Sequence, residues 1–403
     1  MRWLLLVLAV LALSSCRPVT SGPEPEPGPT GLVPAPEPVP APPGATPRPP
    51  PGVVPDQDLE VAVHGAPELS GRFWAGDAVC LPPGERATVR PLAAGESLVL
   101  SDGAGWRQAG GSVTRAEGGG LVLVAPPKPA RRFRLELHGQ RAAAFPLCVL
   151  TAASVERDGR AGTWRVRIGK EPIGTYPNPA ESRSRLVREH AALYEPPRYF
   201  LKIEGATENL QLAPHLLAGQ MVSFIEVRQV KGHEVRRVKT QRRHTLWFPP
   251  NRPLIEKIER LSRELLAEDL RFRRLVVNSG FRTPVHNRDI RGGSTSRHIY
   301  GDAVDVMIDR DGDDRMDDLN GDGVCDARDA LVIAQAIRRL ELAGRVKAGG
   351  IGVYGYDTAD SCAAFVHLDS RGFVTRWGTV YKRGRSQALN WWPPEEFKEE
   401  ESD

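Results

Sequence analysis

Three side chains have the chemistry and spacing of a metal site. His298 and Asp305 lie seven residues apart in Ser296-Arg297-His298-Ile299-Tyr300-Gly301-Asp302-Ala303-Val304-Asp305, and His367 follows much later in Phe365-Val366-His367-Leu368-Asp369. A neutral imidazole and a carboxylate can both bind a divalent cation. Two His and one carboxylate with an open fourth position is a catalytic zinc arrangement. Gly301 and Ala303 suit a tight turn and close packing between the first two.

Rigid elements must position these groups. Leu275-Val276-Val277 reads as a buried strand delivering Ser279-Gly280-Phe281-Arg282 at its end. Ala303 to Ile308 is a strand carrying Asp305, and Ala364 to Leu368 one carrying His367. A helix precedes them, with Leu254, Ile258, Leu261 and Leu265 on one face and Pro253 in its first turn. Ala327 to Leu342 is a second helix. Residues 246–395 therefore read as an α+β domain.

An acidic insertion, 309–329, separates Asp305 from His367. Within it, Asp318, Asn320, Asp322, Asp326 and Asp329 fall at positions 1, 3, 5, 9 and 12 of a calcium loop. Gly323 stands at position 6, where the chain must turn, and Val324 offers its carbonyl. Position 12 is Asp instead of Glu, so the loop resembles the dockerin variant of the EF-hand. Asp309, Asp311 and Asp313 could add ligands. The expected role of the cation is structural.

The chain has 403 residues, a net charge of +4 and interspersed charges, which excludes the concentrated basic stripe of a nucleic-acid binder. Met1 to Cys16 reads as a targeting segment: Arg2 is the positive start, and the apolar run Leu4–Leu13 is too short to span a bilayer. Its end, Leu13-Ser14-Ser15-Cys16, resembles a bacterial lipobox, which implies lipidation at Cys16 and membrane attachment through acyl chains. Arg17 follows instead of Asp, which by that resemblance favours an outer-membrane lipoprotein facing the periplasm. Residues 17–55 hold nearly half of the chain's 36 prolines and read as an extended linker of roughly 120 Å reach. In such an exported protein the other four cysteines read as two disulfides paired by proximity, Cys80–Cys148 and Cys325–Cys362, with four buried free thiols as the alternative. Residues 56–154 carry short alternating runs such as Phe133-Arg134-Leu135-Glu136-Leu137 and read as a β-sandwich-like domain. Residues 155–245 read as a β-rich connecting region or second small domain, and 396–403 as an acidic tail. The fold expected is thus multidomain: all-β, then α+β.

Ser296-x-His298-x-x-Gly301-x-Ala303-x-Asp305 resembles the SxHxxGxAxD signature of the zinc D-Ala-D-Ala carboxypeptidases, peptidase family M15. Ser279-Gly280-Phe281-Arg282 resembles the element that precedes it there. Phe365 to Asp369, followed by Arg376-Trp377, is similar to the late motif of the murein endopeptidase branch. The resemblance covers roughly 246–392. It implies a carboxypeptidase- or hedgehog-type fold, zinc bound by His298, Asp305 and His367, and a substrate of peptidoglycan stem peptides. It further implies that Arg282 holds a substrate carbonyl or carboxylate and that Ser296 hydrogen-bonds the terminal or scissile group. Many relatives carry a Glu or His just before the last zinc ligand, whereas Ala364 and Phe365 stand here. Asp369 is then a candidate general base or a partner orienting His367, with Asp357 and Asp360 weaker candidates. The leading reading is a lipid-anchored zinc murein peptidase with a structural calcium ion. The rival is a non-catalytic zinc- and calcium-binding lipoprotein that holds peptidoglycan without cutting it or serves as an interaction module. Neither reading names a protein partner.

Overall fold

Alternation of apolar and polar residues shapes the N-terminal part of the computed structural model, which describes residues 57–129, 133–140, 142–159, 161–222, 243–356, 364–382 and 385–391. The signal segment, the linker, Cys362, Asp357, Asp360 and the acidic tail lie outside the described residues. Leu59–Val63, Arg86–Pro91, Leu121–Val124, Ser112–Arg115 and Gly71–Phe73 form a five-stranded antiparallel sheet. Val79–Leu81, Ala143–Val149, Phe133–His138 and Ser97–Leu100 form a four-stranded one. Along Leu59–Val63 every second residue is buried, and Phe133–His138 does the same, so each sheet gives one apolar face to the core. This is the sandwich-like pattern expected, with one departure from all-β. Gly103–Gln108 is a short helix, capped by Asp102 accepting from the Gly105 amide at 2.8 Å. It exists to bury Trp106, whose indole N–H reaches the carbonyls of Ser112 and Val124.

The boundaries near 154 and 245 mark changes of sheet without a break in the core. A three-stranded sheet takes Thr151–Ala152, Tyr199–Lys202 and Trp247–Phe248, one strand from each of the three sequence regions. The buried apolar core runs from Leu59 to Leu368 as one cluster. Arg252 fastens the seam. Its guanidinium pairs with Asp77 at 2.9 Å, donates to the carbonyls of Arg72 and Leu212, and lies 3.9 Å from the Phe73 ring centroid. Both charged groups are buried.

The C-terminal part is a six-stranded mixed sheet with two long helices. We number its elements α1 (Arg252–Ala267), β1 (Val276–Ser279), β2 (Ala303–Met307), α2 (Ala327–Leu342), β3 (Gly350–Tyr356), β4 (Phe365–Asp369), β5 (Thr375–Lys382) and β6 (Arg385–Ala388). The spatial order is β1-β2-β4-β3-β5-β6, antiparallel except for the β3–β5 pair. Asn251 caps α1 by accepting from the Leu254 amide at 3.0 Å. Leu254, Ile258, Leu261 and Leu265 are fully buried, as their spacing predicts. Lys257, on the same helix, is buried as well. Its ammonium reaches Glu341 on α2 at 2.7 Å and the Asp369 carbonyl on β4 at 2.6 Å. One side chain thus ties both helices to the strand that carries His367.

The seam makes a prediction. Arg252→Ala leaves Asp77 buried beside no cation and should lower unfolding stability by about 3–5 kcal/mol. A double change to apolar residues, Arg252→Met with Asp77→Leu, should recover most of it. Denaturant midpoints of the two variants check both; equal losses would remove the ion pair as the cause.

Candidate metal centre

Strand register assembles the site. Ser279, Asp305, His367, Gly352 and Trp377 are successive partners on β1, β2, β4, β3 and β5, a single rung across five strands. Residues so paired lie about 5 Å apart. His298 is not on the rung. It arrives from the 3-10 turn Arg297–Tyr300, whose end at Gly301 has φ +79°, where a side chain would also run into Pro249. Arg297 clamps this turn through a bidentate pair with Asp302, a bond to the Leu193 carbonyl, and the faces of Tyr194 and Tyr300.

The result is convergence of three electron-rich atoms. His298 Nε2 lies 3.0 Å from His367 Nδ1 and 3.1 Å from Asp305 Oδ1, and His367 Nδ1 lies 3.0 Å from Asp305 Oδ1. The opposite ring nitrogens show which atoms carry protons. His298 Nδ1 faces the Gly280 carbonyl at 2.8 Å, an acceptor only, so the proton sits there and Nε2 presents its lone pair. His367 Nε2 faces the Asp369 carboxylate at 3.2 Å, so its Nδ1 presents a lone pair in turn. Two imidazole lone pairs and a carboxylate, buried and aimed at one point, form the donor set of a divalent metal. Burial, together with the Arg282 charge, lowers His298 to about 4, so it is the neutral, metal-binding form at neutral pH. Burial alone would raise Asp305, but His298 and Arg282 hold it well below the usual carboxylate range. Burial likewise pulls His367 down, and its bonds to Asp305 and Asp369 outweigh that and raise it.

Asp369 lies behind His367, its carboxylate occupied by protein donors. It is completely buried, and its carboxylate accepts from Arg371, the Gly350 amide at 2.8 Å and His367. Burial would raise its pKa, but the charge of Arg371 and the bond to His367 hold it well below normal. A carboxylate so committed has no lone pair aimed at substrate.

A cleft of about 470 Å³ opens on the three metal-facing atoms. Arg282 lies in its wall, donating from Nε to Ser279 at 2.7 Å and from Nη2 to Asp305. Ser296 also lines it, as the sequence suggested. Two further lining residues had no sequence signal of their own. Tyr354 stands on β3 two positions beyond the rung, and Arg371 follows Asp369; only register and packing bring them to the cleft.

The other expected site residues are placed as follows. In the loop 318–329, Asp318 accepts from the Gly321 and Gly323 amides, Asn320 from Asp322, Asp322 from Val324, and Asp329 from Leu319. Asp326 caps α2 and pairs with Arg328. The three carboxylates of this insertion that converge within 4.8 Å are Asp309, Asp311 and Asp317, instead of a set from 318–329. Cys80 and Cys148 are register partners on adjacent parallel strands, as proximity suggested. A hydrogen bond with Cys148, together with burial, pushes the Cys80 thiol well up. Cys325 donates to the Met316 carbonyl.

The fold and site define a class: a protein with a buried His–Asp–His group, able to hold a metal, built on a mixed sheet. Residues 234–318 match the family model described as Peptidase M15. The match contains Arg282, Ser296, His298 and Asp305; the sheet supplies His367 from beyond it. No curated protein and no solved structure matches the chain.

Asp369 supplies the test of this geometry. Asp369→Asn keeps the shape but loses the carboxylate that fixes the His367 tautomer, and metal affinity should fall about 10–100-fold. Competition against a chromogenic chelator measures it; unchanged affinity would remove the orienting role.

Proposed function

We infer that the protein is a zinc peptidase acting on peptidoglycan, hydrolysing bonds that involve D-amino acids in stem peptides or cross-links. The observation that carries this is the convergence of His298 Nε2, Asp305 Oδ1 and His367 Nδ1, tautomers fixed, beside a cleft that contains Arg282. Zinc held there supplies Lewis acidity, polarising a carbonyl and acidifying water. The chain's own residues do the rest. The Arg282 guanidinium binds the substrate carbonyl or carboxylate, and the Ser296 hydroxyl bonds the terminal or scissile group. In the hydrolysis the water oxygen bonds to the carbonyl carbon, the C–N bond breaks, and both water protons leave on the amine. The substrate class rests on the M15 match with the late HLD and Arg376-Trp377 motif. Lipidation at Cys16, a linker long enough to cross from membrane to wall, and an outer-membrane position facing the periplasm complete the reading.

We read the insertion as a calcium loop that neutralises its carboxylates. Its support is the ligand spacing from Asp318 to Asp329, and the left-handed turns at Gly321 and Gly323, which place the Asp318, Asn320 and Asp322 oxygens in successive Asx turns.

One observation favours a second reading, a module that holds peptidoglycan without cutting it. Among the described residues lining the cleft, the sole carboxylate is Asp305, which is committed to the metal.

Purified sacculi distinguish the two. The zinc-loaded full chain should release new muropeptides, and His298→Ala and Asp305→Ala should each lose both zinc and release. Retention on sacculi without products would select the binding module. For the insertion, calcium should raise the melting temperature by a few degrees and a chelator reverse it. Asp322→Ala should abolish the shift; a shift that persists would count against the loop.

A further inference from the structure

We propose that Tyr354 is a catalytic residue of this site, its phenol O–H donating a hydrogen bond to the carbonyl oxygen of the scissile bond as negative charge builds there. The proposal rests on the peptidase reading above.

The geometry begins at Gly352. It sits on the rung between His367 and Trp377, and a side chain there would run into the indole. With no side chain in the way, Trp377 leans across β3 until its ring lies 5.1 Å from that of His367. Tyr354, two residues along β3, lies on the same face. The Trp377 indole N–H donates to its hydroxyl oxygen at 2.7 Å.

An indole N–H is a donor only. It therefore fixes the phenol oxygen by occupying a lone pair and leaves the phenol's own proton to be given elsewhere. Among the described residues, that proton has no acceptor. The ring is held by stacking on Phe365, 4.7 Å between centroids and 14° between planes. The residue is half-buried and lines the same cleft as Arg282, His298, Asp305 and His367, near enough to Asp305 and Arg282 to feel both charges. A tyrosine that only filled the sheet face would not need its oxygen fixed by an indole donor.

The arrangement is a preoriented O–H beside the metal-facing atoms, complementary to Arg282. Such a donor acts on charge that exists only in the transition state, so its loss appears in kcat and not in KM.

Tyr354→Phe removes one oxygen and keeps the ring on Phe365. In the zinc-loaded full chain acting on a defined muropeptide, kcat should fall about 10²–10³-fold with KM and zinc content unchanged. Affinity for a phosphinate peptide analogue should fall in parallel. Trp377→Phe, which frees the phenol without removing it, should lose less kcat than Tyr354→Phe. A Tyr354→Phe enzyme within about threefold of the parent, or one whose loss of rate tracks loss of zinc, would overturn the role. A parent that cleaves no muropeptide overturns the peptidase reading and this role with it, and that failure is read in the parent, not in the variant.

Discussion

Two imidazole nitrogens and a carboxylate oxygen are held within 3.1 Å of one another, a spacing that suits a shared cation. The rest of the C-terminal fold can be understood as the means of keeping them there. The Gly280 carbonyl and the Asp369 carboxylate accept from the far nitrogens of the two rings and fix their orientation. The backbone register of β2 and β4 sets Asp305 opposite His367. The Arg282 guanidinium offsets part of the carboxylate's charge. A cation held among the three atoms binds a geometry that the fold already sets, so cation binding and local order favour each other.

Ion pairs surround this point, and each braces an element that carries or supports the site. Arg297–Asp302 ties the His298 turn to the start of β2, Lys257–Glu341 ties α1 to α2, and Arg376–Glu341 ties β5 to α2. Arg371–Asp369 braces the residue behind His367. Pairs of this kind add little net stability, because desolvation cancels much of their attraction. Their value here is positional. Each has a narrow set of acceptable geometries, so a displacement of one element leaves a buried charge exposed to its full desolvation cost.

Reading the sequence recovered what depends on short separations. His298, Gly301 and Asp305 lie within eight residues, and their turn and strand can be inferred locally. The apolar face of α1 and the alternation of the N-terminal strands follow from periodicity alone. His367 was legible because it lies in a clear strand. The job of Asp369 was left open between two roles, since the approach of Gly350 to its carboxylate is set by packing, not by spacing. Lys257 interrupts an apolar helix face and looks solvent-bound until α2 brings Glu341 to it. Tyr354 is one aromatic in a strand until register with Phe365 and the reach of Trp377 place it at the cleft. The cysteine pair was paired correctly in space, but neighbouring positions do not dictate the oxidation state of the sulfurs.

Asp305 and His367 are 62 residues apart in the chain yet partners on adjacent strands. The acidic insertion leaves after β2 and returns into α2, so the hydrogen bonds that define the pairing do not pass through it. Insertions and deletions in this segment therefore leave the ligand geometry unchanged, provided that both ends stay where they are. This makes the connection between β2 and α2 a modular port: a place where the chain can gain or shed a property over evolution while the chemistry on the sheet is inherited intact.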